Sequence, residues 1–179
     1  MDIVQIKDKR FRPSISKEEI QRRVQELADR LNRDLAGKNP LFLAVLNGSF
    51  IFAADLYRRI TIPSEISFVK LASYEGTATT GQVKEIFGVT EDIQGRTIVI
   101  VEDIVDTGLT IQRMMETLGT RRPESIHICS LLSKPEKLQV DLNLEYVAFE
   151  IPNDFIVGYG LDYDQQGRNL EEIYTIVKD

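Results

Sequence analysis

The segment from residue 98 to residue 110 constrains the fold more than any other part of the sequence, because a buried-strand pattern runs directly into acidic and small polar residues. Residues 98–101 are all β-branched. Such residues disfavour helices and suit a strand that is buried on both faces, as in a parallel sheet. After Gly108, apolar residues recur at helical spacing as far as Leu118. The segment therefore predicts a strand, a short loop and a helix, which indicates an α/β fold with a parallel sheet flanked by helices.

The loop between this strand and this helix has features of a phosphate-binding site. In an open parallel sheet such a loop lies at the carboxyl edge, where ligands bind, and the N–H groups that start the following helix attract anions. Gly108 allows the backbone to approach a ligand closely, and Thr107 and Thr110 offer hydroxyl donors. The loop is therefore a candidate cradle for a phosphate group.

Three acidic residues, Glu102, Asp103 and Asp106, stand close to this candidate cradle. They would repel a phosphate unless they face sugar hydroxyls, a divalent cation or a proton that is to be removed. The alternative is an ordinary turn that caps the helix. Taken alone, Asp106, Thr107 and Gly108 fit such a turn about as well as they fit a phosphate-binding loop.

Composition limits the class of protein. A chain of 179 residues suits one domain with a sizeable core, and its net charge of −6 argues against non-specific binding to nucleic acid or to an anionic membrane. We find no apolar stretch of about 18 residues and no signal-peptide pattern at the N-terminus, so we expect a cytoplasmic protein.

The chain contains a single cysteine, Cys129, and a single histidine, His127. None of three common sites, an intrachain disulfide, a Cys-His nucleophile pair or a zinc cluster, can therefore be assembled as it is usually built. Both residues lie in the apolar run 126–132, where we expect them to be structural. Acid-base chemistry then falls to carboxylates or lysine, and any metal must be a hard cation bound mainly by oxygen.

The first half of the chain predicts two more elements that lead to the same sheet edge. Ser16 and Glu19 form a capping box that begins an amphipathic helix, which ends near Gly37. Residues 41–46 predict a strand and residues 50–60 a helix. Asn47, Gly48 and Ser49 lie between them, either at the same edge as the acidic loop or in an ordinary turn.

Further strands are predicted on both sides of the acidic loop. Residues 65–73 and 83–87 predict a hairpin whose polar loop is mobile and could fold over a site. Residues 125–132 predict a buried strand with Lys134 just past its end. Residues 145–151, 155–159 and 173–177 predict short strands of a small flap.

The string Glu-Asp-x-x-Asp-Thr-Gly-x-Thr, which follows four apolar residues, resembles the phosphoribosyl pyrophosphate loop of type I phosphoribosyltransferases. Residues 131–134 and 149–163 are similar to the 6-oxopurine branch of that family. The resemblance implies a single domain, residues 1–179, with a core of about residues 35–135. A flap, or hood, would come from the N-terminal segment and about residues 145–179.

The activity implied by this resemblance is transfer of 5-phosphoribosyl from phosphoribosyl pyrophosphate to N9 of hypoxanthine, and of guanine as well, in purine salvage. Asp106 would be the base at purine N7. Lysine has donors and no acceptor, so Lys134 would bind a purine 6-carbonyl and disfavour adenine. Phe155 would stack on the ring, and the backbone at Val157 would meet the ring edge.

The remaining roles follow from the same resemblance. The donor-binding residues would be Asn47, Gly48, Glu102, Asp103, Asp106, Thr107, Gly108, Leu109, Thr110 and Arg168. Ile156 and Asp162 would complete the purine site, and Asp162 would hold Mg²⁺ together with Glu102 and Asp103. Ser73 and Tyr74 would belong to a loop that closes over the reacting groups and excludes water.

One position departs from the branch, and several properties stay open. Asn47 stands where a basic residue is common, which weakens charge pairing with pyrophosphate, and its loop could contain a non-proline cis bond. A xanthine-preferring enzyme and a non-catalytic regulator that binds the phosphoribosyl donor are the alternative functions. Relatives form dimers or tetramers, and the sequence does not distinguish these.

Overall fold

A computed structural model of the protein describes residues 2–72 and 85–178. Two strands, β1 (Val4–Ile6) and β2 (Lys9–Ile15), precede the helix α1 (Lys17–Asp34). Strand β3 (Leu41–Leu46), helix α2 (Phe50–Tyr57) and strands β4 (Glu65–Ala72) and β5 (Glu85–Phe87) follow. Strand β6 (Thr97–Val105) leads into helix α3 (Leu109–Gly119) and strand β7 (Ser125–Ser133). Strands β8 (Tyr146–Glu150), β9 (Ile156–Val157) and β10 (Ile173–Ile176) complete the fold.

The main sheet has six strands in the order β5-β4-β3-β6-β7-β8. All neighbouring pairs are parallel except β4 with the edge strand β5. The predicted α/β architecture is confirmed. The strands β3, β6 and β7 therefore end at one common edge of the sheet, and their loops lie close together.

Strand β6 is buried on both faces, as its β-branched sequence predicts. Val99 and Val101 pack into an apolar cluster with α1 and α2, whereas Ile98 and Ile100 pack into a second cluster with α3 on the other face. Helices thus cover both sides of the sheet, and β6 lies at its centre.

Helix α1 begins as its capping box predicts, since the Ser16 side chain accepts a hydrogen bond from the backbone N–H of Glu19 at 3.2 Å. Its apolar stripe is buried against α2 and β8. The buried residues of this stripe are Ile20, Val24, Leu27, Ala28 and Leu31.

A second, antiparallel sheet of order β1-β2-β10-β9 forms the hood. Its strands come from the N-terminal segment and from residues 156–176, whereas β8 pairs with β7 in the main sheet. Phe11 and Val157 are fully buried between the hood strands and anchor a small apolar cluster. From the sequence we expect both ends of the chain in the hood, whereas β1 and β2 were not predicted.

Across residues 2–72 and 85–178, we find no helix with the length and apolarity that a membrane span requires. Cys129 is completely buried in the core, where burial raises the pKa of its thiol to about 12. His127 contacts the Glu145 carboxylate at 2.9 Å through Nδ1 and the Ser125 hydroxyl at 3.2 Å through Nε2. Both residues have structural surroundings, as the sequence analysis expects.

Candidate active site

The loop between β6 and α3 borders a cavity of about 220 Å³ at the carboxyl edge of the main sheet. Glu102, Asp106, Thr107, Gly108 and Thr110 all line this cavity, together with apolar side chains from β3 and β6. The structure therefore brings two of the three predicted acidic residues to the same cavity as Thr107, Gly108 and Thr110 of the candidate phosphate cradle.

Gly108 has two reasons to be glycine. Its φ of +83° lies in the left-handed region, and α3 begins at the next residue. A Cβ at this position would lie 2.8–2.9 Å from the side chains of Val140, Leu138 and Leu142. Apolar side chains of residues 138–142 therefore pack directly on this glycine. The close approach of a ligand to the Gly108 backbone, expected from the sequence, stays a prediction.

The loop after β3 packs against the acidic strand. A Cβ on Gly48 would lie 1.8 Å from Asp103 Oδ2, so the Asp103 carboxylate rests directly on the glycine backbone. The Ser49 hydroxyl donates a 2.6 Å hydrogen bond to the Val45 carbonyl and is fully buried. The peptide bond between Leu46 and Asn47 is cis, so the loop does contain a non-proline cis bond, one residue before the Asn47-Gly48 bond considered from the sequence.

Burial raises the pKa of the Asp103 carboxyl above its usual value. Hydrogen bonds from the Ile104 backbone N–H, at 2.8 Å, and from the Glu102 side chain lower the pKa in part, as does the positive charge of Arg168. Burial is the larger effect, because it disfavours the charged form of an acid. Asp103 is therefore a half-buried carboxyl group whose charged form is disfavoured.

Residues of the hood contact the part of the site that contains Gly48 and Asp103. A Cβ on Gly160 would lie 2.3 Å from the Gly48 carbonyl oxygen, so the two loops meet backbone to backbone. Arg168 donates a 2.8 Å hydrogen bond to the Gly160 carbonyl and lies 3.2 Å from Asp162 Oδ1. Asp162 Oδ2 accepts a hydrogen bond from the backbone N–H of Gln165. Arg168 and Asp162 are thus held beside the loop that contains Gly48.

Asp106 lies between two lysines. Its Oδ1 is 2.9 Å from Lys137 Nζ, and its Oδ2 is 3.8 Å from Lys134 Nζ. The side chain of Lys134 is 8% exposed and that of Asp106 is 39% exposed, so the lysine is buried, whereas Asp106 is partly accessible although its Oδ1 atom is buried. Lys134 follows β7 directly, as predicted from the sequence. Lys137 was not predicted, although its place three residues later in the short 3₁₀ helix Pro135–Lys137 puts it on the same side as Lys134.

Phe155 is exposed at 44% and belongs to a cluster of three aromatic side chains. The Tyr163 ring meets it edge-on with a centroid distance of 5.7 Å, and the Phe11 ring lies at 6.2 Å. Ile156 and Val157 are buried in the hood sheet. The sequence analysis singled out Phe155 but missed the two rings that support it.

Two predicted site residues, Ser73 and Tyr74, lie outside the described residues. The predicted mobile hairpin loop between β4 and β5 falls there as well, so closure over the site stays a prediction.

The fold and the loop at its carboxyl edge match a known family. The sequence profile described as "Phosphoribosyl transferase domain" matches residues 15–164. The chain therefore belongs to the phosphoribosyltransferase family, as the loop motif indicates, and it is an enzyme of the transferase class.

Within this family, its relatives are hypoxanthine and hypoxanthine-guanine phosphoribosyltransferases. The chain is 42% identical to the hypoxanthine-guanine phosphoribosyltransferase of Mycobacterium avium over 169 residues, which is 90% of this chain and 83% of that protein. It is 41% identical to the hypoxanthine phosphoribosyltransferase of Salmonella typhimurium, over 91% of this chain and 93% of that protein. A crystal structure of a hypoxanthine-guanine phosphoribosyltransferase from Bacillus anthracis superposes with a TM-score of 0.83 at 41% identity and covers 93% of this chain and 97% of that one.

Proposed function

We propose that the protein transfers the 5-phosphoribosyl group of phosphoribosyl pyrophosphate to N9 of hypoxanthine, and of guanine as well, and releases pyrophosphate. The observation that carries this proposal is the buried Lys134, whose Nζ lies 3.8 Å from Asp106 Oδ2 beside the phosphate-binding loop. The names of the relatives agree with this function.

Lys134 selects the base. A lysine ammonium donates hydrogen bonds and accepts none, so it binds the 6-carbonyl of hypoxanthine or guanine and leaves the 6-amino group of adenine unsatisfied. A mismatched buried polar group costs about 1–3 kcal/mol, which corresponds to roughly ten- to hundredfold discrimination. Phe155 offers an exposed aromatic face and contributes affinity for any purine ring.

Asp106 acts on the proton at purine N7. As N9 attacks the anomeric carbon, the N7–H bond breaks and the proton passes to the carboxylate of Asp106, while pyrophosphate leaves from the opposite side of the ribose. Loss of the N7 proton makes the purine a better nucleophile, and general base catalysis of this kind contributes about 100- to 10,000-fold. The Asp106 side chain is partly exposed, so a ligand can reach it.

The residues around Asp103 fit a magnesium ion that arrives with the donor. No group of three or more His, Cys, Asp or Glu side chains that could hold a metal is found among residues 2–72 and 85–178. Mg²⁺ is usually bound by one or two carboxylates together with substrate phosphates, so a small donor set is suitable. One or two of the predicted metal-binding carboxylates, Glu102, Asp103 and Asp162, would hold it together with oxygens of the donor, and the ion would neutralise the charge of the departing pyrophosphate.

The other residues of this side bind the donor. The backbone at Asn47 and Gly48 and the Arg168 side chain contact pyrophosphate, and residues 106–110 hold the 5′-phosphate at the start of α3. Because the Asn47 side chain carries no charge, its contribution is limited to hydrogen bonds. We further propose that the protein forms a homo-oligomer, a dimer or a tetramer, as the resemblance implies.

The test is a panel of initial rates of pyrophosphate release with hypoxanthine, guanine, xanthine and adenine, each with and without Mg²⁺. We expect hypoxanthine and guanine to be the best substrates and the rates to require Mg²⁺. Adenine as the best substrate would overturn the role of Lys134, and xanthine as the best substrate would replace the proposed base. Binding of the donor without release of pyrophosphate from any purine would indicate a non-catalytic regulator.

A further inference from the structure

We propose that Lys137 is a positioning residue that holds the Asp106 carboxylate in the orientation required for proton transfer. This inference rests on the proposed function, because Asp106 acts in it as the base. Lys137 Nζ lies 2.9 Å from Asp106 Oδ1, whereas the nearest oxygen of the same carboxylate to Lys134 is Oδ2, at 3.8 Å. The two lysines therefore lie beside opposite oxygens of one carboxylate, and the buried Oδ1, which has no hydrogen-bond partner, is ion-paired with Lys137.

The backbone that carries Lys137 is fixed to the loop that carries Asp106. Lys134 N donates to the Val105 carbonyl at 3.0 Å, and Gln139 N donates to the Thr107 carbonyl at 2.9 Å. In the first segment the two hydrogen bonds lie before and after Lys137, and in the loop they lie directly before and after Asp106. The segment therefore cannot move away from the loop without breaking backbone hydrogen bonds.

Apolar packing adds a second attachment. Side-chain atoms of Leu138, Val140 and Leu142 lie 2.8–2.9 Å from the place where a Cβ on Gly108 would be. Only a glycine leaves room for this contact, so the segment is packed directly on the loop two residues after Asp106. The backbone of Lys137 is thus attached to the loop of Asp106 by hydrogen bonds and by apolar packing.

The two lysines have different roles in the proposed reaction. Lys134 is buried and, under the proposed function, donates to the purine carbonyl; its Nζ lies 3.8 Å from Asp106 Oδ2, which is beyond hydrogen-bond distance. Lys137 is 36% exposed at its side chain and, under the proposed function, contacts no substrate. It takes no proton in the reaction. It restrains Oδ1, which leaves Oδ2 to accept the proton from N7.

The test compares Lys137→Met and Lys137→Arg with the wild type, using hypoxanthine and the Mg²⁺-bound donor. We expect Lys137→Met to lower kcat roughly three- to tenfold, with KM for both substrates nearly unchanged, because the interaction acts through Asp106. Lys137→Arg retains a cation at this position and should keep most of the activity. The matched control is Lys38→Met, which removes a lysine ion-paired with Glu124 at 3.4 Å, at the opposite edge of the sheet.

A double-mutant cycle separates positioning from a merely structural effect. In the Asp106→Asn background we expect Lys137→Met to lower kcat by less than twofold, because the carboxylate that it holds is already gone. Full additivity of the two losses would overturn the proposal, and so would wild-type kcat in Lys137→Met while Asp106→Asn is impaired. Absence of turnover in the wild type with every purine would overturn both this proposal and the proposed function.

Discussion

Two carboxylates at the same edge of the sheet, Asp103 and Asp106, lie in opposite surroundings. Asp103 is packed on the backbone of Gly48, and burial raises the pKa of its carboxyl. Asp106 is more accessible and has Lys134 and Lys137 within 4 Å. We call the first surroundings the donor end, formed by Asp103, Gly48 and Arg168. The second is the base end, formed by Asp106, Lys134 and Lys137.

The difference indicates what each end requires from its ligand. At the donor end the charged form of the half-buried Asp103 carboxyl is disfavoured, so a ligand that brings positive charge, such as a phosphate-bound Mg²⁺, is favoured there. At the base end the protein supplies the cations itself, so the matching ligand offers acceptors and a proton. A 6-oxopurine with its carbonyl and its N7–H has this chemistry, which supports the proposed function.

The largest expected effect is at the base end. Asp106→Asn removes the proposed base while it keeps the shape of the side chain, and we expect kcat to fall about 100- to 10,000-fold. Donor affinity should change little, because the donor end is intact. Steady-state kinetics and equilibrium binding of the donor measure the two quantities. The control is Asp141→Asn, an exposed carboxylate in the segment after Lys137. Near-normal turnover in Asp106→Asn would remove this residue from the role of base.

A smaller effect is expected at the donor end. Gly48→Ala places a Cβ 1.8 Å from Asp103 Oδ2, so the loop or the carboxylate must shift. We expect donor affinity to fall at least about tenfold, on the scale of a displaced charged hydrogen bond. Calorimetric titration with the donor and Mg²⁺ provides the measurement. Gly119→Ala is the matched control, since a Cβ there meets nothing within 4 Å. Unchanged donor binding in Gly48→Ala would show that this loop does not contact the donor.

The smallest effect concerns stability and pH. Because burial raises the pKa of Asp103 in the folded state, the folded protein binds this proton more tightly than the unfolded chain, and stability falls as pH rises through the folded pKa. Asp103→Asn removes the buried charge and still offers an oxygen to the Ile104 N–H. We expect the ligand-free variant to melt a few degrees above the wild type near neutral pH, with a smaller difference in acid. Thermal unfolding across this pH range gives the comparison, and a difference that stays constant or shrinks as pH rises would contradict it.

The sequence predicted the helices and strands that are determined by local sequence patterns. Strand β6 and helix α1 follow from β-branched content and from a capping box with a 3.6-residue period, and both formed as predicted. Strand β2 was missed because it contains Pro13 and four other polar or charged residues among seven. Residues 9–11 of β2 pair with β1, and Pro13 lies beyond this paired part. The N–H that proline lacks is therefore not required for hydrogen bonds to β1.

The site was predicted less completely, because several of its contacts join distant parts of the chain. Asp106 and Lys134 were found from a motif and from their places after strands. The contacts of Gly48 with Asp103 and Gly160 depend on how two loops and strand β6 pack together, and local periodicity contains no information on this. Lys137 was missed for the same reason, although its spacing from Lys134 could have indicated it.

The most direct test of the account is the ratio of kcat/KM for hypoxanthine to kcat/KM for adenine, measured in the wild type and in Lys134→Met. We predict that the wild type prefers hypoxanthine and that the substitution lowers the ratio roughly ten- to hundredfold, since the buried donor for the 6-carbonyl is lost. Lys38→Met should leave the ratio unchanged. A wild type that prefers adenine, or a ratio that does not change in Lys134→Met, would contradict the claim that the base end selects a 6-oxopurine.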